Sequence, residues 1–340
     1  MQEDLAIAPD PFTTKVDADP VRHQSAPIAI AQSHLSKWQT CRRKFQHTYI
    51  DSLTTPISSI QEEKMQLGQK FHLLMQQHAL GLDVEPLVVN YQDRKLQKWL
   101  DCSQEWLAQL QQSIGGDRHS EHRRTLSMPG SMSGSMSESM PGSELDNILA
   151  QRPERDKAAQ VYTLTAVYDL VFFADSSALI VDWKTHQKPI PTSQLRASWQ
   201  TRLYLFLLAE TTAYQPDQLK ITYWFANKAK ATTLGYDAEQ HERTRADLKE
   251  ILAAIDQAKQ TNDFPKIELT SSAVEVCKHC DFAYRCDRDA LIEADASNKN
   301  NELVELLTSR SPQISDLPTE LIKHPEQLAT SLEQIPEIEI

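Results

Sequence analysis

Apolar residues recur with a helical period through the first third of the chain, and the period then shortens to that of strands. From Ser33 to Ile50, "SHLSKWQTCRRKFQHTYI" places Leu35, Trp38, Phe45 and Tyr49 near one face of a helix. "SSIQEEKMQLGQKFHLLMQQHALG" predicts a second helix, with Ile60, Met65, Leu67, Phe71, Leu74 and Met75 apolar and Gly81 as its stop. "DRKLQKWLDCSQEWLAQLQQSIGG" predicts a third, closed by Gly115 and Gly116. "QVYTLTAVYDLVFFADSSALIVDWKT" then reads as two strands joined by the turn "ADSSA". "SQLRASWQTRLYLFLLAETT" is an amphipathic helix, "LKITYWFA" and "KATTLGYD" are a second strand pair, and "EQHERTRADLKEILAAIDQAKQ" is a further helix. Helices, a strand pair, a helix and more strands predict an α/β domain around a mixed sheet.

Composition marks the limits of that domain. Residues 1–32, rich in Pro and Ala at their start, are expected to be disordered. Ser127–Glu144, "SMPGSMSGSMSESMPGSE", holds four of the seven Met, spaced every four residues. The Gly, Pro and Ser between them oppose a helix. The expectation is a flexible insertion over about residues 117–146, interrupting one domain of residues 33–288, and not a Met-rich metal site. Residues 289–340 form an acidic tail broken by Pro312, Pro318, Pro325 and Pro336.

Charge qualifies the choice of partner. The net charge of −12 argues against a strong nucleic-acid binder at face value. The tail holds eleven Asp/Glu against three Lys/Arg, however, which leaves only −4 for the 288 residues before it. A local basic groove is compatible with that balance, and "KWQTCRRK" is a candidate wall. No apolar run approaches the roughly 18 residues of a membrane span. The acidic N-terminus lacks the apolar region of a signal peptide. A cytoplasmic location follows, where five cysteines call for something other than disulfides.

Two constellations carry chemistry. "LIVDWKTHQKP" drives an apolar strand into Asp182 and Lys184, which alternation sends to one face. Asp169 lies in the preceding strand among Tyr168, Leu170 and Val171, where a carboxylate is costly unless paired or bound to metal. A divalent cation such as Mg²⁺ relieves the repulsion of two such carboxylates, and Lys184 then stands beside an activated water. The competing reading is an ion pair at the edge of the sheet with Asp169 solvated. His72 is either a core histidine or a nitrogen ligand that favours Mn²⁺ beside Mg²⁺. Gln200 and Tyr204 share a helix face, as surface polars or to orient Lys184 and a DNA strand. Separately, Cys277, Cys280 and Cys286 have the spacing C-x2-C-x5-C, with Cys41 or Cys102 as a fourth thiolate. Four thiolates hold Zn²⁺ or an iron–sulfur cluster, and spacing does not separate the two.

In order, "LSKWQTCRRKFQHTY", Gly68-x3-His72, Asp169, Asp182-x-Lys184, Gln200-x3-Tyr204 and "CKHCDFAYRC" resemble the PD-(D/E)XK nuclease superfamily. The resemblance is to its RecB-like branch with an iron–sulfur cluster, which includes the nuclease domain of AddB and the CRISPR-associated adaptation nucleases. It spans about residues 33–288 and implies a restriction-endonuclease-like core, with N-terminal helices and a C-terminal cysteine cluster. It implies His72, Asp169, Asp182 and the Trp183 carbonyl as ligands of Mg²⁺ or Mn²⁺, Lys184 as the catalytic lysine, and Gln200 and Tyr204 as an accessory motif. It implies a [4Fe–4S] cluster on Cys41, Cys277, Cys280 and Cys286 that staples the two ends of the domain, with Cys102 a bystander. The activity implied is exonuclease-like cleavage of DNA in repair or recombination. "AVYD" departs from the family's Gly-x-x-Asp, and Arg42 replaces its usual Pro; neither change removes a ligand. No Gly-rich phosphate loop followed by Lys-Ser/Thr is present, so a helicase would be a separate partner. Two other readings stand beside this one: a non-catalytic iron–sulfur subunit that binds DNA or a partner protein, and a zinc-binding interaction module.

Overall fold

The fold is described from a computed structural model that covers residues 28–130, 160–186 and 190–291. The expected disorder of residues 1–27, the Met/Ser/Gly stretch 131–146 and the tail beyond 291 lie outside it. A mixed sheet of six strands is flanked by helices, as in restriction-endonuclease-like folds. No helix among the described residues is long and apolar enough to cross a membrane.

The chain enters through β1 (Ile28–Ile30), inside the segment expected to be disordered. The helix expected from Ser33 to Ile50 is broken. Cys41 takes an extended conformation between α1 (Gln32–Thr40) and α2 (Arg42–Phe45), which runs on into a π-helical turn, Gln46–Ile50. Next come α3 (Ser59–Ala79), α4 (Glu85–Tyr91) and α5 (Arg94–Ile114). Ser58 and Gln61 form a capping box at the start of α3, and the Asp93 carboxylate accepts from Lys95 and Leu96 N–H at the start of α5. Gly115 and Gly116 end α5 with φ of +67° and +79°, a conformation that glycine adopts without the cost of a side chain.

The flexible insertion expected from residue 117 is a strand for its first part. β2 (Asp117–Pro129) pairs antiparallel with β3 (Val161–Ala174) from Val161 to Phe173, skipping Asp169. Its polar residues hide the alternation that Leu126 and Met128 carry on the buried side. β4 (Ser177–Lys184) follows, then α6 (Thr192–Ala197), α7 (Trp199–Glu210), β5 (Leu219–Phe225), β6 (Lys230–Gly235), α8 (Ala238–Thr261) and α9 (Ser271–Lys278). β4 and β5 are parallel, as the helical crossover between them requires.

β2 covers one edge of β3, and two strands share the other. β1 pairs there with Tyr162–Leu164, and β4 pairs with Leu170–Ala174. Residues 165–169 lie between these two ladders. The side-chain alternation of β3 slips at the same place. Tyr162, Leu164, Ala166, Tyr168 and then Val171 pack against α1, α7 and α8, whereas Leu170 and Phe172 face α3 and α5. On β2, Glu121 answers the slip with φ +49°.

Each face has its own core. On the α3/α5 side, Phe71 packs edge-on against Trp99 and Trp183, and Trp106 stacks on Trp224 with ring centroids 4.5 Å apart. The buried Ser103 hydroxyl donates to Trp99 O and accepts from Trp224 Nε1, so that core holds a satisfied polar bridge. Phe71→Ala is expected to lower unfolding free energy by about 3–5 kcal/mol in denaturant titration. Leu73→Ala, at a position 40% exposed on the same helix, should change it by about 0.5 kcal/mol or less.

Candidate active site

Where β3 and β4 part, the Asp169 carboxylate enters the gap. Its Oδ2 accepts the Trp183 N–H at 2.8 Å, and its Oδ1 lies 3.2 Å from His72 Nδ1 on α3. Asp182 and Lys184 share the face of Ala178 and Ile180, with Lys184 Nζ 3.2 Å from Asp182 Oδ2. β4 lies between β3 and β5, and the two residues are 4% and 7% exposed. The reading of an ion pair at the edge of the sheet is therefore excluded.

α7 supplies the next layer. Ser198 caps the helix by accepting Thr201 N–H, and Trp199 Nε1 donates to Gln39 Oε1 on α1. Gln200 thus sits in a fixed first turn. Its Oε1 accepts from Lys184 Nζ and its Nε2 donates to Asp182 Oδ1, both at 2.7 Å. At 6% exposure it is no surface polar. Tyr204, one turn on, is buried too, and its backbone carbonyl accepts from Tyr168 OH. Past Lys184, the Asn227 amide donates to Thr185 O and His186 O while its oxygen accepts from Trp99 Nε1. The end of β4 is thereby tied to α5.

The groups influence one another's protonation. Burial works against the His72 imidazolium, but the charge and hydrogen bond of Asp169, with Asp182 beyond, outweigh it and raise its pKa. Burial likewise opposes ionisation of Asp169, and His72, the Trp183 N–H and Lys184 more than offset it, so its pKa falls. For Asp182, burial prevails over Lys184, and the Asp169 charge adds to it, which pushes the pKa up to about 7. Two carboxylates with opposite shifts in one cavity are a functional-site signature. Burial, then the Asp182 and Asp169 charges, hold the Tyr204 phenol well above its ordinary value.

All these groups line one cavity of about 310 Å³. Ala31, Gln32 and Ser33, at the start of α1, also line it, and Thr165 and Val167 lie on its β3 wall. It also receives Glu121 and Arg123, which the sequence reading missed because both lie on a strand taken for a flexible insertion. Burial and the Asp169 charge raise the Glu121 pKa.

As the side chains stand, no three His, Cys, Asp or Glu among the described residues gather closely enough to hold a metal ion. The carboxylates are instead paired with His72, the Trp183 N–H, Lys184 and Gln200. Asp182 Oδ2 is buried and makes no hydrogen bond, although Lys184 lies within ion-pair distance. A buried anionic oxygen with unused acceptor capacity, beside a second carboxylate and an imidazole, suits a hard divalent cation.

The second constellation converges elsewhere. Cys41, Cys277, Cys280 and Cys286 line one small cavity of about 20 Å³ with Lys44, Lys266 and Arg288. Arg288 NH1 donates to Cys277 Sγ at 2.8 Å. Burial raises the thiol pKa of Cys280 and of Cys286. Cys102 packs instead beside the α3/α5 core. The basic run of Lys37–Lys44 borders the cysteine cavity through Lys44 and does not line the carboxylate cavity.

The family model of the PD-(D/E)XK nuclease superfamily matches residues 29–287. Comparison with the curated proteins gives no match. Among solved structures, one titled "Crystal structure of SSO0001" is similar at 11% identity and a TM-score of 0.33, covering 75% of this chain and 84% of that one.

The raised pKa of Asp182 makes an expected outcome concrete. A divalent cation held at this carboxylate would have to compete with its proton. Apparent Mn²⁺ affinity, measured by calorimetry, should fall by roughly tenfold per pH unit as pH drops below about 7. Asp182→Asn should lose most of the affinity and the share of the pH dependence that Asp182 carries, leaving that of His72, whose pKa is also raised.

Proposed function

The chain belongs to the PD-(D/E)XK nuclease superfamily, and from that membership and the carboxylate cavity we propose that it is a metal-dependent nuclease that hydrolyses phosphodiester bonds in DNA. The observation that carries this is the buried Asp182 Oδ2, which accepts no hydrogen bond although Lys184 Nζ lies 3.2 Å away, on a residue that lines one cavity with Asp169, His72 and Lys184. In this reading His72, Asp169 and Asp182, with the Trp183 carbonyl, hold Mg²⁺ or Mn²⁺. The bound cation supplies charge neutralisation at the phosphate and a water of lowered pKa.

The chain's own groups do the rest. Lys184, oriented by Gln200, stabilises the negative charge that develops as the phosphate is attacked. Gln200 also fixes Asp182, so that one amide sets the distance between anion and cation. Tyr204 keeps its proton at neutral pH, because burial and the Asp182 and Asp169 charges disfavour its phenolate. Exonuclease-like action in repair or recombination is taken from the resemblance to the RecB-like branch, with any helicase a separate partner, and a cytoplasmic location is part of the same proposal.

The same proposal assigns a [4Fe–4S] cluster to Cys41, Cys277, Cys280 and Cys286. Four thiols on one cavity support it, as do three cations that offset thiolate charge. Cys41 interrupts the first helix and the other three follow α8, so a cluster would staple the two ends of the domain.

Two experiments test these assignments. Lys184→Ala keeps every proposed ligand, so it should bind Mn²⁺ and DNA while cleaving about a hundredfold or more slowly. Asp182→Ala should lose both metal binding and cleavage. Wild-type cleavage by Lys184→Ala would remove Lys184 from the chemistry, and absence of cleavage by the wild type itself would favour a non-catalytic DNA- or protein-binding subunit. Protein purified without oxygen should be brown, and Cys41→Ser should abolish the colour while Cys102→Ser keeps it. A colourless protein with one zinc per chain would assign the cysteines to zinc.

A further inference from the structure

We propose that Arg123 binds the substrate phosphate next to the scissile one and so fixes where the strand lies over the carboxylates. The inference rests on the nuclease reading and names a residue which that reading leaves unassigned. Arg123 lies on β2 opposite Val167, two residues from Asp169 along β3. Diagonal neighbours on one sheet face are about 7–8 Å apart, a span that suits a group adjoining the reacting one.

Among the described residues, this side of β2 and of the first half of β3 is not buried. The buried residues of β2 and of the first half of β3 point the other way, toward α7 and α8, as Met128, Tyr162, Leu164, Ala166 and Tyr168 do. The opposite positions are exposed or half-buried: Arg123 and Thr125 on β2, Thr163, Thr165 and Val167 on β3. The floor they form is small-residued and runs into the cavity that holds His72, Asp169, Asp182 and Lys184.

Its neighbour Arg124 shows what a structural arginine looks like on the same strand. Arg124 points to the packed side, donates to Thr211 O and lies over the Phe173 ring. Arg123 makes no hydrogen bond or ion pair to another described residue, yet it lines the carboxylate cavity. A planar guanidinium whose donors no other described residue takes up matches phosphate geometry, and among anionic cavity walls it supplies the attraction that a polyanion needs.

The test uses the full chain with Mg²⁺ and DNA oligonucleotides carrying one neutral methylphosphonate at each position in turn. Arg123→Ala should raise KM about tenfold and leave the unfolding temperature unchanged. The slope of log binding affinity against log salt should become shallower by about 0.7–0.9, the share of one phosphate contact. One methylphosphonate beside the scissile bond should cost the wild type the same factor and cost Arg123→Ala nothing more. Arg123→Lys should restore the salt slope and only part of KM. Lys230→Ala, an exposed charge on the opposite edge strand, should change neither. A wild-type KM and salt slope in Arg123→Ala, or an undiminished methylphosphonate profile, overturns the proposal. The salt slope reads binding without cleavage. Absence of cleavage by wild type therefore counts against the nuclease reading, and an unchanged slope counts against Arg123.

Discussion

A single hydrogen bond, from the Trp183 N–H to the Asp169 carboxylate, governs how the rest of the molecule is arranged. An antiparallel pair normally satisfies that N–H with a backbone carbonyl. Here the ladder between β3 and β4 stops at Leu170 and Val181, and a side chain takes the carbonyl's place. The substitution lets the strands part without leaving a buried donor unpaired, which costs about 1–3 kcal/mol. It also fixes the carboxylate in the gap. The slip in β3 and the left-handed Glu121 opposite it belong to the same event, and a non-glycine residue in that region costs about 1–2 kcal/mol. Strain of this kind persists where the surroundings over-determine it, and the aromatic core under Trp183 does so.

The site is electrostatically expensive and rigid. Asp182, Lys184 and Gln200 are almost completely buried, although an ion pair of this sort is weak evidence of stability. A well-packed apolar trio would hold the sheet and α7 together as well or better. What the polar trio adds is a fixed relation between an anion, a cation and an amide that bridges them. The anchors behind it are structural: the Ser198 cap, the Trp199–Gln39 bond and Asn227 bridging α5 to the end of β4. Preorganised polarity of this kind stabilises a charge that appears only during reaction.

How much of this was legible in the chain depended on the range of the signal. The β3–β4 hairpin, the β5–β6 pair and the long helices show in local periodicity, and the structure has them where the pattern puts them, except that the single helix read from Ser193 to Thr212 breaks at the extended Ser198 into α6 and α7. The shared face of Asp182 and Lys184 follows from alternation alone. β2 was not legible, because its inward residues include Arg124, His122 and Ser127's neighbour Met128 and its composition merges into the Met/Ser/Gly stretch. Glu121 and Arg123 were lost with it. The break at Cys41 was hidden for the opposite reason: Leu35, Trp38 and Phe45 are all buried, so the apolar pattern runs on through a residue whose backbone is extended. The slip at Asp169 leaves no local signal, since "YDLV" offers apolar residues to both faces.

The central claim is that one divalent cation is held where β3 and β4 part. Anomalous diffraction from crystals soaked in Mn²⁺ tests it most directly. The account predicts one strong peak among Asp169, Asp182, His72 and the Trp183 carbonyl, with Lys184 displaced from Asp182 Oδ2. Mn²⁺-dependent DNA cleavage by a protein whose crystals show manganese only elsewhere would contradict it.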